Sequence, residues 1–199
     1  MKAEKSKNNP GKLFIICGPS GSGKTTLLSS LIQDKKIAKL LTKSCSITTR
    51  PKRSGEKEGR DYFFVTEVVF GQLLKAKKIL EWTRYLGYYY GTPKEQLEKK
   101  IKAGKNIGLC LDLKGTRILK KLYSKNTVTI FVLPPSLKAL KSRIQGRCRK
   151  TNKTEVAQRL RLAAKELLAA SGFDYCVLNQ KLEVALQELK AIFLQEISV

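Results

Sequence analysis

Gly18, Pro19, Ser20, Gly21, Ser22, Gly23, Lys24 and Thr25 stand in the spacing G-x-x-x-x-G-K-[ST], and each type has a chemical reason to be there. Glycines let consecutive backbone N–H groups turn inward into an anion-holding nest. A helix starting behind them adds its unpaired N–H groups and positive dipole end. Lys24 can then reach the outer phosphates of a nucleotide, and the Thr25 hydroxyl can ligate Mg2+. The segment reads as a phosphate-binding loop. A Gly/Ser-rich turn that matches by accident is the competing reading. The neighbourhood disfavours it: Leu13–Cys17 is a short apolar run of the buried-strand kind, and Thr25–Gln33 can continue as a helix.

The elements that would hold this loop follow along the chain. Thr92-Pro93-Lys94-Glu95 has the form of a capping box with Pro at the first helical position, starting a helix to Ala103 that stops at Gly104. Ile107–Asp112 is a buried strand ending in an acid, Lys114–Tyr123 is helical, and Thr127–Leu133 is a fully apolar strand closed by Pro134-Pro135. Such alternation of apolar strands with helices predicts a parallel sheet covered on both faces, an α/β fold. Ser136 can cap a helix through Gln145. Glu155–Ser171 reads as a second helix with Val156, Leu160, Ala163, Leu167 and Leu168 as its apolar stripe. Tyr175–Leu178 is the last strand, and Leu182–Ile197 a closing helix carrying Leu186, Leu189, Ile192 and Phe193.

Between the first helix and Thr92 the pattern changes. Ile37–Leu41 is a weak helical or connecting stretch. Ser44–Thr49, Asp61–Val65, Ile79–Tyr85 and Tyr88–Tyr90 are strand-like, and Val68–Lys77 is a short helix with Val69, Leu73 and Leu74 on one face. Residues 44–92 are rich in Arg and Tyr and poor in aliphatic core. They read as an insertion standing off the main sheet.

Composition bounds the chemistry. The 199 residues, 42% of them hydrophobic, suffice for one well-packed core with inserted lobes. No apolar run approaches the roughly 20 residues of a membrane span. Residues 1–12 are polar and lysine-rich, which suits a frayed tail rather than a signal peptide or anchor. With no histidine, His-based acid–base and triad chemistry are excluded. The five cysteines form no C-x-x-C pair, so a zinc site is not expected and a reducing cytosol is. The net charge of +24 suits polyanionic partners without choosing among nucleotides, nucleic acid and a membrane surface.

The order and spacing of several further segments resemble the guanylate kinases over residues 12–199. These are Ser46-Ile47-Thr48-Thr49-Arg50, Arg53-Ser54-Gly55-Glu56, Gly59-Arg60-Asp61-Tyr62-Phe63-Phe64, Leu80-Glu81-Trp82, Gly87-Tyr88-Tyr89-Tyr90-Gly91-Thr92, Leu111-Asp112 and Pro134-Pro135-Ser136. The resemblance implies a P-loop core of 12–43, 93–135 and 172–199, a GMP-binding lobe of 44–92, and an Arg-rich lid of 136–171, behind a flexible basic tail of 1–11. It implies ATP:GMP phosphotransfer with Mg2+. Arg50, Arg53, Tyr62 and Tyr90 would clamp the GMP phosphate, as guanidinium groups suit a dianion. Glu81 would meet the two donors of the guanine edge, with Ser46 and Thr92 as hydroxyl partners and Asp112 as a second acid nearby. Arg143, Arg147 and Arg159 would gather charge on the transferring group, although Arg147 and Arg159 stand one residue further apart than the family spacing and Arg161 could share the role. Asn179 would contact the adenine.

Three residues depart from the family pattern. Cys110 replaces the first acid of L-D-I-D, Cys148 replaces a glycine after Arg147, and Gln180 replaces an Asp after Asn179. The first leaves open which group holds the Mg2+ water shell or orients Lys24. Two other functions compete with the enzyme. One is a non-catalytic module on the same fold that binds phosphorylated peptides, against which the complete loop stands. The other is nucleic-acid binding through the positive charge, with Tyr88–Tyr90 stacking on bases; no specific nucleic acid is expected. ATP and GMP are the expected ligands of a cytoplasmic monomer or small homo-oligomer, with tolerance for dGMP left open.

Overall fold

Residues 10–146 and 153–198 are described by the computed structural model. Arg147 and Cys148 lie outside them. In chain order the strands are β1 (Leu13–Cys17), β2 (Leu41–Lys43), β3 (Ser46–Thr48), β4 (Tyr62–Phe64), β5 (Ile79–Tyr85), β6 (Tyr88–Pro93), β7 (Asn106–Cys110), β8 (Thr127–Leu133) and β9 (Tyr175–Leu178). The helices are α1 (Lys24–Gln33), α2 (Glu67–Lys75), α3 (Lys94–Lys102), α4 (Leu113–Leu122), α5 (Leu137–Gly146), α6 (Lys153–Leu167) and α7 (Leu182–Ile197).

The five-stranded sheet has the order β2-β7-β1-β8-β9, and every pairing in it is parallel. Parallel neighbours require crossovers, which the helices supply. Side chains alternate across β1, so its two faces feed two cores. Phe14 and Ile16 pack with Leu27, Leu28 and Leu31 of α1 and with Leu189 and Phe193 of α7. Leu13 and Ile15 pack with Leu97 and Ile101 of α3 and Leu119 of α4. Because both faces are covered, β1 is buried at all five positions, which explains its unbroken apolar run. The carboxyl ends of β1, β7 and β9 form one rim, carrying Gly18, Cys110 to Asp112, and Asn179. Ligands of open α/β sheets bind along such a rim.

A second, four-stranded sheet has the order β4-β3-β6-β5. Phe70 of α2 is buried under it, stacked on Tyr89 at 5.3 Å. α5 and α6 pack on each other through a small core of Leu140, Ile144, Val156 and Ala163.

Five expectations change. Thr92 and Pro93 are strand residues of β6, not a capping box: α3 begins at Lys94 with no side-chain cap. The Thr92 hydroxyl instead donates to the Glu81 carboxylate on the neighbouring strand, because the N-cap position of α3 falls on Pro93 and Thr92 stays in β6. Ile37–Leu41 divides into a 3-10 turn at Ile37–Lys39 and the start of edge strand β2, three residues long and too short to show a period. On α2 the buried anchor is Phe70, while Val69 is exposed. Leu168 lies just past the end of α6 and is 84% exposed, since the chain leaves the helical period there. At the amino end, order begins before Lys12: Gly11 donates to the Ile101 carbonyl at 2.9 Å.

Candidate functional site

The cavity on the sheet rim has a volume of about 1110 Å³ and is walled by the loop, β5, β6, the 50–56 turn and α6. Its floor is the Gly18–Thr25 loop. Ser22 donates its N–H to the Pro19 carbonyl at 3.0 Å, closing the turn. Gly23 immediately precedes α1 at φ 102°, a left-handed conformation that L side chains rarely adopt. A Cβ there would also meet the Asn179 amide nitrogen at 2.1 Å. Lys24 Nζ donates to the Gly18 carbonyl at 2.5 Å and the Pro19 carbonyl at 3.0 Å, folded over the loop it would serve. Thr25 faces the same cavity from the first turn of α1.

Asn179 is buried behind the loop. Its amide N–H donates to the Ser22 carbonyl at 2.7 Å, and its backbone carbonyl accepts from Arg143 at 2.9 Å. In this arrangement Asn179 braces the loop backbone, and Arg143 sits behind it with one buried guanidinium nitrogen that has no hydrogen-bond partner among the described residues. Arg159 reaches the loop itself. Its Nη1 donates to Ser20 Oγ at 2.7 Å, its other nitrogens to Glu155, and its guanidinium lies over the Tyr85 ring at 5.8 Å. Arg159 therefore joins α6, the loop and β5, while Arg161 is exposed and not part of the wall.

Across the cavity a basic and aromatic cluster faces inward. Arg50, 7% exposed, forms a fork with Glu56 at 2.8 and 3.0 Å and lies over the rings of Tyr62 and Phe64. Glu56 also accepts the Arg53 backbone N–H at 2.8 Å. Burial alone would push the Glu56 pKa up, but Arg50 and that N–H more than offset it and hold the carboxylate ionised. Tyr62 and Tyr90 meet edge to face at 6.1 Å, and burial pushes the Tyr62 phenol up to about 12. Arg53, Ser46, Tyr62 and Tyr90 all line the wall. The cluster offers guanidinium and phenol groups to a dianion.

Glu81 is the buried acid of the site, 4% exposed in the middle of β5. Burial pushes its carboxyl up to about 7, with Asp112 repelling it and the Thr92 hydroxyl and Lys114 drawing it back. Gly115 makes the position possible, since a Cβ on that turn of α4 would stand 2.6 Å from Glu81 Oε2. Asp112 starts α4 as its N-cap, accepting the Gly115 N–H at 2.8 Å. Cys110, at the end of β7, is a neutral thiol pushed up to about 11 by burial.

The sequence-predicted site residues among the described ones thus gather at one cavity: Pro19, Ser22, Thr92 and Asn179 stand just behind its lining, and Arg143 stands behind Asn179. Glu56, Tyr85, Lys43 and Glu166 also line it. Only Glu56 had a sequence signal, its place in R-x-G-E. The others stand on elements whose approach to the loop is a matter of tertiary packing.

The likeness to known proteins fits this geometry. The sequence model of the family described as guanylate kinase matches residues 10–196. The chain is 41% identical over 189 residues to the guanylate kinase of Mycoplasma genitalium, covering 95% of this chain and 78% of that one. It is 41% identical over 186 residues to that of Thermotoga maritima, covering 94% and 87% respectively. The crystal structure of guanylate kinase from Anaplasma phagocytophilum superposes with a TM-score of 0.78 at 29% identity, over 94% of this chain and 87% of that chain. With a family match spanning nearly every residue and relatives at this identity, the chain belongs to the guanylate kinase family.

Proposed function

We propose that the protein transfers the γ-phosphoryl group of ATP to GMP, giving ADP and GDP. The observation that carries this reading is the buried Glu81 carboxylate facing the same cavity as the phosphate loop. A carboxylate accepts from guanine N1–H and N2–H together, whereas the adenine edge presents an acceptor at N1. Ser46 and Thr92 flank the base. Arg50, Arg53, Tyr62 and Tyr90 grip the acceptor phosphate, with Glu56 holding Arg50 in register and 44–92 serving as the GMP lobe.

The second pKa of a phosphate monoester is about 6, so the attacking oxygen is already ionised at neutral pH and needs no general base. The protein's task is positioning and charge neutralisation. Backbone N–H groups of Gly18–Thr25 and Lys24 hold the donor phosphates. Arg143, Arg147 and Arg159 gather the charge of the transferring group, with 136–171 as the lid that keeps water from competing. Asn179 keeps the loop backbone in shape from behind, and its contact with adenine is a secondary expectation. No group of three or more His, Cys, Asp or Glu side chains able to cage a metal occurs among the described residues. That fits Mg2+, which binds through one or two protein ligands together with substrate phosphates and water. Thr25 would be the protein ligand, and the ion would neutralise charge on the donor phosphates.

No helix among the described residues is long and apolar enough to cross a membrane. Cys17, Cys45, Cys110 and Cys176 are free thiols, which favours a reducing compartment such as the cytosol. Purified protein with ATP, Mg2+ and each nucleoside monophosphate in turn tests the assignment. Turnover is expected with GMP and lost in Lys24→Ala. Turnover with AMP or UMP but not GMP would refute it.

A further inference from the structure

The carboxylates of Glu56, Asp61, Glu81, Asp112, Glu155 and Glu166 line the cavity, and the first five have hydrogen-bond commitments among the described residues. Glu56 holds Arg50, and Asp61 accepts from the Lys57 N–H and Arg60. Glu81 takes the Thr92 hydroxyl, Asp112 caps α4, and Glu155 pairs with Arg159. Glu166 differs: its Oε2 is buried and has no hydrogen-bond partner among the described residues. Leaving a buried acceptor unmet is costly, more so for a charged group, so such an atom calls for a reason.

Its position suggests one. Glu166 lies near the carboxyl end of α6, three residues beyond the fully buried Ala163 and seven beyond Arg159, so helical periodicity turns it to the loop side. Burial pushes its carboxyl up to about 6; the Lys24 ammonium opposes that rise and Asp112 adds to it. Cys110, at the end of β7, is a neutral thiol and offers Lys24 no counter-charge, and Asp112 is committed to capping α4. In the present arrangement Lys24 is folded onto the Gly18 and Pro19 carbonyls, a posture it must leave to reach a phosphate.

We propose that Glu166 is a positioning residue whose carboxylate draws the Lys24 ammonium off the loop carbonyls and holds it over the donor phosphates. The pairing rests on Lys24 being the phosphate-reading cation. It makes that cation's placement depend on α6 being seated against the loop, as lysine–glutamate pairs do in other phosphoryl-transfer enzymes. The side chain on α6 thereby supplies the negative charge that position 110 does not.

The test compares wild type with Glu166→Gln, which is isosteric and removes only the charge, and with Glu166→Asp. Steady-state kinetics give kcat and the KM for GMP. Trace acylation by acetic anhydride at fixed pH, read by peptide mass spectrometry against Lys190, reports the basicity of Lys24 without turnover. In Glu166→Gln, kcat is expected to fall about tenfold or more with the KM for GMP within about twofold. Lys24 should acylate about threefold faster or more, because losing a nearby anion lowers its pKa. Glu166→Asp should recover part of kcat. Unchanged kcat, or unchanged Lys24 acylation, overturns the pairing. Lys24→Ala with undiminished activity would instead remove the underlying assignment of Lys24, a separate result.

Discussion

Glu81 shows how a single residue can set both specificity and pH response. In the proposed role it must be ionised to accept two N–H bonds from guanine, yet burial pushes its carboxyl up to about 7 in the free protein. The kcat/KM for GMP should therefore rise with pH through about 7 and level off above it, since this parameter follows the free enzyme. The stability effect has the opposite sense. A carboxyl whose folded pKa exceeds its ordinary 4.5 binds more protons folded than unfolded, so its contribution falls as pH rises from about 4.5 to 7. Glu81→Gln should match wild type in thermal unfolding near pH 4.5 and exceed it at pH 8. The same substitution should cut the preference for GMP over AMP by about 10²-fold or more, because a site built for hydrogen bonds loses its discrimination with them. Unchanged purine discrimination would show that another group reads the base.

Among the elements, the phosphate loop is held in shape by neighbours distant in sequence. β9 ends where Asn179 can donate to Ser22, and α5 sends Arg143 to the Asn179 carbonyl. Asn179→Ala removes the bond and leaves the Ser22 carbonyl unmet, a loss of about 1–3 kcal/mol. The KM for ATP should rise about tenfold with the KM for GMP nearly constant. Equal changes in both constants would mean that the bond supports the whole cavity rather than the loop. The α6 helix touches the loop through Arg159 and Ser20 and touches β5 through Tyr85. Three elements distant in sequence meet there, and no local pattern announces it.

At the scale of the whole molecule the charge of +24 surrounds a site for two polyanionic substrates. Long-range attraction should speed encounter and be screened by salt, the Debye length falling from about 10 Å at 0.1 M to about 3 Å at 1 M. We expect kcat/KM for GMP to drop several-fold between low and high ionic strength while kcat changes little. A flat profile would mean that the charge has no part in capture. Retention on an oligonucleotide column should vanish at moderate salt, as unspecific attraction does.

The sequence by itself determined the parallel sheet, because strands buried on both faces must be apolar throughout, and β5, β8, β9 and α7 carry the bounds their periodicities imply. It also determined the loop, whose glycines and lysine are read from spacing alone. Tertiary structure decided the rest. Thr92 could cap a helix or face a carboxylate, and only the pairing of β5 with β6 placed Glu81 within its reach. Edge strand β2 is too short to carry a period, and its partner is more than sixty residues away. Glu166 is one acid among many on a polar helix until α6 is laid against the loop. Local pattern encodes what a segment is, whereas the burial and charge around a side chain come from segments that the local pattern does not contain.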